Sequence, residues 1–440
     1  MPSPASPIPS EFRRERAPVP TSAQDRLLAL FARTALLGTL AAMLGILLYF
    51  LYAFATLYHG GEPHRWILDT FSDFVSIMYA SLSDSPYVEY GSSYPPLAIM
   101  ALYPFALICR GTLARYSYLG DSDIIELTSR VILHPPFWIA LVLFFLTCTV
   151  PILYLLARLL PARGRGTLSV MTTALFSAPF VYAVMRGNAT LLALIPLLLF
   201  LLLYEHPRAS VREVAYLCLA LSGVMKIYPL FFGVFVLRKR RLLAAARIAL
   251  YTLLLFLLSF LIFRGGMGET SNFLMHLRYF ASSNARLESM RNLSLSSLLY
   301  KGASLLSPTL PGTGTFSVIN AVAVTVLLLV CALSASLTRS TLSRTVIASS
   351  AVILIPAISY YYVLIFALIP FLVFVRDLEE LPRWKRGLYA SLFLFLLFTP
   401  ALLTFCYIPQ ALCILALLLC ELFEVARGEL LPWLRKRIKA

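Results

Sequence analysis

Long apolar runs recur along the whole chain, and nothing else in the sequence restricts its folding as much. Several reach about 17–25 residues, enough for a helix to cross the ~30 Å core of a bilayer, and the others are somewhat shorter. A backbone in hydrocarbon must satisfy its own hydrogen bonds, so such runs are helices. They fall at Ala35–Tyr58, Pro96–Ile108, Phe137–Leu160, Leu168–Val184, Thr190–Tyr204 and Val214–Leu237, then at Ile248–Phe263, Phe316–Leu337, Val346–Tyr360, Val363–Val375, Leu388–Leu403 and Ile408–Phe423. Charged residues make up only 13% of the 440 and hydrophobic residues 60%, whereas a soluble domain keeps roughly 25% charged. The expected fold is an all-α, polytopic integral membrane bundle of about 10–13 transmembrane helices.

The formal charge of +16 does not point to nucleic acid, which calls for a basic patch on a folded face. The cations sit in short connectors such as Arg238-Lys239-Arg240-Arg241 and in the tail at Arg435-Lys436-Arg437, as cytoplasmic loops do. The cysteines lie mostly inside apolar runs without a metal-like pair. There is no phosphate-binding loop, no HExxH and no voltage-sensor helix. The domain layout that follows is a polar cytosolic arm over 1–34, one membrane domain over 35–426 and a basic cytosolic tail over 427–440.

Loop charge orients the second half: Arg238–Arg241 inside, 264–315 outside, Arg339 and Arg344 inside, Tyr360–Tyr362 outside, Arg376, Arg383, Lys385 and Arg386 inside. The first half admits two solutions. If Pro96–Ile108 crosses fully, Arg158, Arg163 and Arg165 fall outside. If it is re-entrant they fall inside, and Val214–Leu237 becomes a hairpin turning at Lys226-Ile227-Tyr228-Pro229. The second is preferred, because a lysine followed by Tyr-Pro suits a turn or wet cavity better than mid-span.

Two polar loops then share the outer face, 59–95 and 264–315. In the first, Asp69 and Asp73 are four apart, on one face of an expected amphipathic helix over Trp66–Leu82 lying along the membrane surface. A partly desolvated carboxylate there is a candidate general base; equally, the acids solvate the loop. Lys226 and Arg186 are cations at membrane depth that require an ion-pair partner or a phosphate. Gly187 ends one helix and Asn188 caps the next.

"DFVSIMYASLSDSPYVEYGSSYPPLAIM" is similar to the first outer loop of GT-C glycosyltransferases that use lipid-phosphate sugars, and among them to the polyprenyl-phosphate-mannose-dependent mannosyltransferases of glycosyltransferase family 87. The matching elements are Asp73-Phe74, Tyr79, Pro86-Tyr87 and Tyr94-Pro95-Pro96-Leu97. "RGNATLLAL", "GVMKIYPLFFGVFVLRKRR" and "NLSLSSLL" resemble later family segments in the same order, so the likeness spans Asp73 to Leu299. Ser85 replaces the family's usual glycine before the Pro-Tyr pair.

The resemblance implies a GT-C-like bundle and an inverting transfer of a sugar, expected to be mannose, from a polyprenyl-phosphate donor to a lipid or glycan hydroxyl. The site would lie on the outer face of the cell's inner membrane. It implies Asp73 as base with Asp69 as alternate, and Lys226, Arg186, Arg278, Arg291 and His276 on the donor phosphate. Tyr87, Tyr90, Tyr94, Asn188 and Asn292 would contact sugar or acceptor. No metal and no cofactor beyond the lipid-linked co-substrate is expected. The competing readings are a secondary transporter or lipid-linked-sugar flippase, and a non-catalytic assembly subunit.

Overall fold

The computed structural model describes residues 24–38, 40, 44, 71–116, 124–159, 165–237, 241–282, 284–307, 309–399 and 407–432. Asp69, most of the first apolar run, most of the polar arm and the end of the basic tail, residues 433–440, lie outside these residues. Helix is already present over 24–38 and docks on the bundle: Phe31 rings Phe371 at 4.9 Å and the Gln24 amide donates to the Val375 and Arg376 carbonyls. The arm thus gives way to packed helix sooner than its polarity suggests.

We number the principal helices α1 (Ser72–Leu82), α2 (Pro96–Leu113), α3 (Pro135–Leu159), α4 (Ala178–Arg186), α5 (Thr190–Leu203) and α6 (Ala209–Met225). They continue as α7 (Leu242–Phe260), α8 (Glu269–Ser282), α9 (Leu295–Leu306), α10 (Gly314–Leu337), α11 (Thr341–Leu354), α12 (Leu368–Asp377), α13 (Arg383–Phe398) and α14 (Ile408–Val425). No strand occurs among the described residues. Among the described residues six helices are long and apolar enough to cross a bilayer, or seven if the bent pair Thr167–Leu175 and Ala178–Arg186 is one span. Several apolar runs among the described residues are too short to cross or double back. The chain is a multi-pass membrane protein. Apolar side chains on α7 and α10, such as Leu250, Leu254, Val322 and Leu329, are exposed and form its lipid-facing wall.

Two runs fold as hairpins. The α6 helix stops at Lys226, whose extended φ and ψ of −148° and 122° leave the helical region. The chain returns as a 3-10 turn, Tyr228–Gly233, and a short helix, Val234–Leu237. The arms touch closely: a β-carbon on Gly223 would sit 2.4 Å from the Leu230 side chain. Arg241, just past the returning arm, reaches the Tyr204 carbonyl at 3.5 Å beside the start of α6, so the hairpin expected at Lys226-Ile227-Tyr228-Pro229 is present. The second hairpin runs from α11 through 355–360 into a 3-10 turn, Tyr361–Ala367, and α12, with Ser349 Oγ donating to the Phe366 carbonyl at 3.0 Å. Every residue of α11 from Leu342 to Leu354 is buried.

The loop layer departs from expectation at α1. That helix does not lie on a surface: Phe74, Val75, Ile77 and Met78 are wholly buried, and it packs against α2, α4 and the short helix Ile124–Val131. Phe74 meets the Phe144 ring at 5.2 Å. The Tyr79 hydroxyl bonds to the carbonyls of Leu113 and Tyr116 at the far end of α2, so that end of α2 is tied to α1. By length alone α2 suffices to cross.

Candidate active site

Asp73 lies in the first turn of α1, where the helix dipole favours negative charge. Its carboxylate is gripped by a guanidinium fork: Arg186 Nε donates to Oδ2 at 3.0 Å and Nη2 to Oδ1 at 2.7 Å. Asn188 Nδ2 adds a third bond to Oδ2 at 2.7 Å. The Asp73 and Arg186 side chains are only 14% and 11% exposed. Burial acts to raise the carboxyl's pKa, but the charge and hydrogen bonds of Arg186, the Asn188 bond and the nearby Lys226 charge outweigh it and hold Asp73 below its ordinary value. The resting carboxylate is therefore ionised and tied down.

One glycine puts both partners on that carboxylate. Gly187 ends α4 in the left-handed region at φ 60°. Its N–H donates to the Val184 carbonyl and the Asn188 N–H to the Ala183 carbonyl, the paired bonds of a Schellman turn. The turn leaves Arg186 on the last residue of one helix and Asn188 at the entrance to the next. Asn188 Oδ1 accepts from Thr190 N at 2.9 Å and Thr190 Oγ1 at 2.6 Å, so the expected capping role holds the amide while Nδ2 serves Asp73. A β-carbon on Gly187 would lie 2.3 Å from Phe74 Cβ; only glycine lets the turn seat beside Asp73.

Lys226 arrives from the first hairpin tip. Its ammonium is 4.4 Å from the centroid of the Tyr94 ring and 5.9 Å from that of Tyr362, distances at which a ring face attracts a cation. Among the described residues it has no hydrogen-bond or ion-pair partner. Two other buried cations behave otherwise. Lys385 is held by Glu421 at 2.9 Å and by Glu424, and Arg344 donates to the Ala335 and Thr338 carbonyls. Lys226 is set apart because its charge is answered only by aromatic faces and by Asp73 nearby.

The remaining wall is tyrosine. Tyr94 OH lies 3.4 Å from Asn188 Nδ2, and Tyr228 OH pairs with Thr190 Oγ1 at 3.0 Å. Tyr360 and Tyr362, from the second hairpin, face each other with ring centroids 6.1 Å apart. The Tyr360 hydroxyl is hydrogen-bonded to Arg286 and feels the charges of Arg186 and Asp73. Thr190, Tyr228, Arg286, Tyr360 and Tyr362 were not anticipated as site residues. For Tyr360 and Tyr362 the sequence signal is the run "SYYYVL", which loop charge assigns only to an outer turn.

The other expected residues lie elsewhere. Tyr87 is wholly buried among Phe260, Phe263 and Phe273, its hydroxyl donating to the Tyr94 carbonyl. The Tyr90 ring packs on Tyr79. The His276 imidazole covers Gly91, 3.2 Å from where a β-carbon would be. Arg278 is exposed on α8 without a hydrogen-bond or ion-pair partner among the described residues. Arg291 is half-buried near Tyr407. Asn292 spends its whole amide on backbone: Nδ2 donates to the Arg286 and Ala357 carbonyls, and Oδ1 accepts from Ser294 and Ser359. It staples the 264–315 loop onto the second hairpin and has nothing left for a sugar. Among the described residues no three His, Cys, Asp or Glu side chains cluster as a metal site.

A model of glycosyltransferase family 87 matches residues 93–366, more than half of the chain. The match includes Tyr94, Arg186, Asn188, Lys226, Tyr360 and Tyr362, and begins after Asp73. No curated protein and no solved structure matches the chain.

Proposed function

The chain belongs to glycosyltransferase family 87 and is a glycosyltransferase, and we propose that the site around Asp73 moves a sugar, mannose in the first instance, from a polyprenyl-phosphate donor to a hydroxyl of a lipid or glycan acceptor. The single observation that supports this reading most is an unpartnered ammonium, Lys226, beside an ionised carboxylate, Asp73, with tyrosines around both. Broken helices at a polar site also serve transporters; family membership favours the transferase.

In the proposed reaction the acceptor oxygen attacks the anomeric carbon from the face opposite the phosphate, inverting it. The carbon–acceptor oxygen bond forms as the carbon–phosphate oxygen bond breaks, and that bond's electron pair leaves with the polyprenyl phosphate. Asp73 receives the acceptor's proton and later releases it to water. Fixed cations facing the departing oxygen favour this step because charge grows there in the transition state; Lys226 and Arg186 are the groups in position to act. Tyr94, Tyr360 and Tyr362 offer ring faces and hydroxyls to sugar. The expected setting is the outer face of the inner membrane.

Purified protein given polyprenyl-phosphate mannose and a panel of glycolipid acceptors should transfer sugar. Asp73→Asn should lose about 10²–10⁴-fold in rate per folded molecule, the usual worth of a general base, and should also melt lower because Arg186 is left buried without its carboxylate. A fully active Asp73→Asn protein ends the assignment of Asp73 as base.

A further inference from the structure

We propose that Arg186 is shared in turn between Asp73 and the donor phosphate, so that arrival of the phosphate frees the carboxylate to act as base. The inference rests on the transferase reading above. Asp73 as the structure holds it is a poor proton acceptor, because three bonds from Arg186 and Asn188 stabilise its ionised form. Something must loosen that grip before a sugar hydroxyl can be deprotonated.

Arg186 is the partner that can leave. A guanidinium binds carboxylate and phosphate in the same forked way, so an anion beside it competes directly with Asp73. Lys226 supplies the place for that anion, since its ammonium lies against the Tyr94 ring without an ion-pair partner among the described residues, and Tyr94 in turn adjoins Asn188. Asn188 cannot follow Arg186. Its amide is locked by Thr190 N and Oγ1, so it stays on Oδ2 and keeps the freed carboxylate aimed.

The timing follows from charge. The donor's phosphodiester carries one negative charge, and the departing phosphomonoester gains a second as the bond to the anomeric carbon breaks. The pull on Arg186 therefore rises while the acceptor's proton moves to Asp73. With no donor present the base stays tied, and Asn188 acts as a positioning residue throughout.

The exchange is tested by removing the competitor. Full-length protein is titrated with farnesyl phosphate, with inorganic phosphate as a second arm. If Asp73 and the phosphate compete for Arg186, the catalytically disabled Asp73→Asn protein binds farnesyl phosphate about tenfold more tightly than wild type, the worth of a charge-assisted hydrogen bond regained. Arg186→Gln weakens binding, and Asp73→Asn/Arg186→Gln loses the gain. Equal or weaker binding by a folded Asp73→Asn protein overturns the exchange and leaves the transferase reading standing if transfer is still abolished. Binding by none of the proteins overturns both. Wild-type protein gives a readout that needs no substitution: carbodiimide labelling of Asp73 rises when farnesyl phosphate is added, and labelling that stays flat or falls counts against the exchange. Inorganic phosphate reproducing the effect shows that the phosphate group alone suffices; an effect confined to farnesyl phosphate shows that the prenyl chain must seat it.

Discussion

Gly187→Ala is the substitution whose cost the geometry fixes best. The new β-carbon would lie 2.3 Å from Phe74 Cβ, against 3.4 Å for the lower end of ordinary contact. The difference, 3.4 minus 2.3 Å, demands a shift of about 1.1 Å between the turn and α1. Two costs add. Holding alanine at a φ of 60° costs about 1–2 kcal/mol, and overpacking a buried contact about 1–3 kcal/mol, together about 2–5 kcal/mol. The yielding atom belongs to the residue after Asp73, so the same shift misaligns the carboxylate. A 1 Å misplacement can cost ~10²-fold in rate. Thermal unfolding in detergent, together with sugar transfer by whatever protein remains folded, separates the two effects. Gly111→Ala in α2 is the control: nothing lies within 4 Å of its added carbon, and alanine inside a helix should stabilise by about 0.5–1 kcal/mol. Wild-type melting and transfer in Gly187→Ala would refute the packing argument. Equal damage in Gly111→Ala would show that the membrane helices resent any change.

Lys226→Met keeps most of the side-chain length and removes the charge; it should lower transfer about 10²–10³-fold with melting unchanged or raised, because an ammonium without a hydrogen-bonded ion-pair partner no longer has to be buried, and an unimpaired rate excludes Lys226 from the phosphate. The pH profile has a definite sign: the folded carboxyl of Asp73 is held below 3.8, so in the free enzyme it stays ionised, and its pairing with Arg186 persists, until the pH falls below that value. The acid limb of kcat/KM should therefore lie below pH 4, while that of kcat, which reports the donor complex with Arg186 drawn away, should lie higher; coincident limbs near pH 6 contradict both statements.

Much of the site was legible because charge in an apolar setting is conspicuous. Asp73, Arg186 and Lys226 stood out by contrast with their neighbours, and the structure brings them together with Asn188 and Tyr94. The helix break at Lys226 was legible for the same reason, reinforced by Tyr-Pro. What sequence could not show is where partners spend their hydrogen bonds. Tyr87 and Asn292 looked like exposed polar residues of a loop, and each is consumed by the backbone it packs on. Loop charge assigns Tyr360 and Tyr362 only to an outer connector, and it is the second hairpin that carries them to Arg186 and Lys226. The burial of α1 was equally hidden, since its mixture of serine and aromatic residues fits a surface helix until α2, α4 and the 124–131 helix close around it.

The separation of the site's parts along the chain bears on how the protein is made. Arg186 lies 113 residues after Asp73, so at about 5–20 residues per second the acid waits about 6–23 s for its partner. Tyr362 follows Lys226 by a further 136 residues, about 7–27 s of synthesis at the same pace. The Asp73–Arg186 fork is thus available to clasp α1 to the Gly187 turn while the second hairpin is still unmade. An ion pair read so far as chemistry would then also be the early latch of assembly, and its loss would appear first as poor yield of inserted protein.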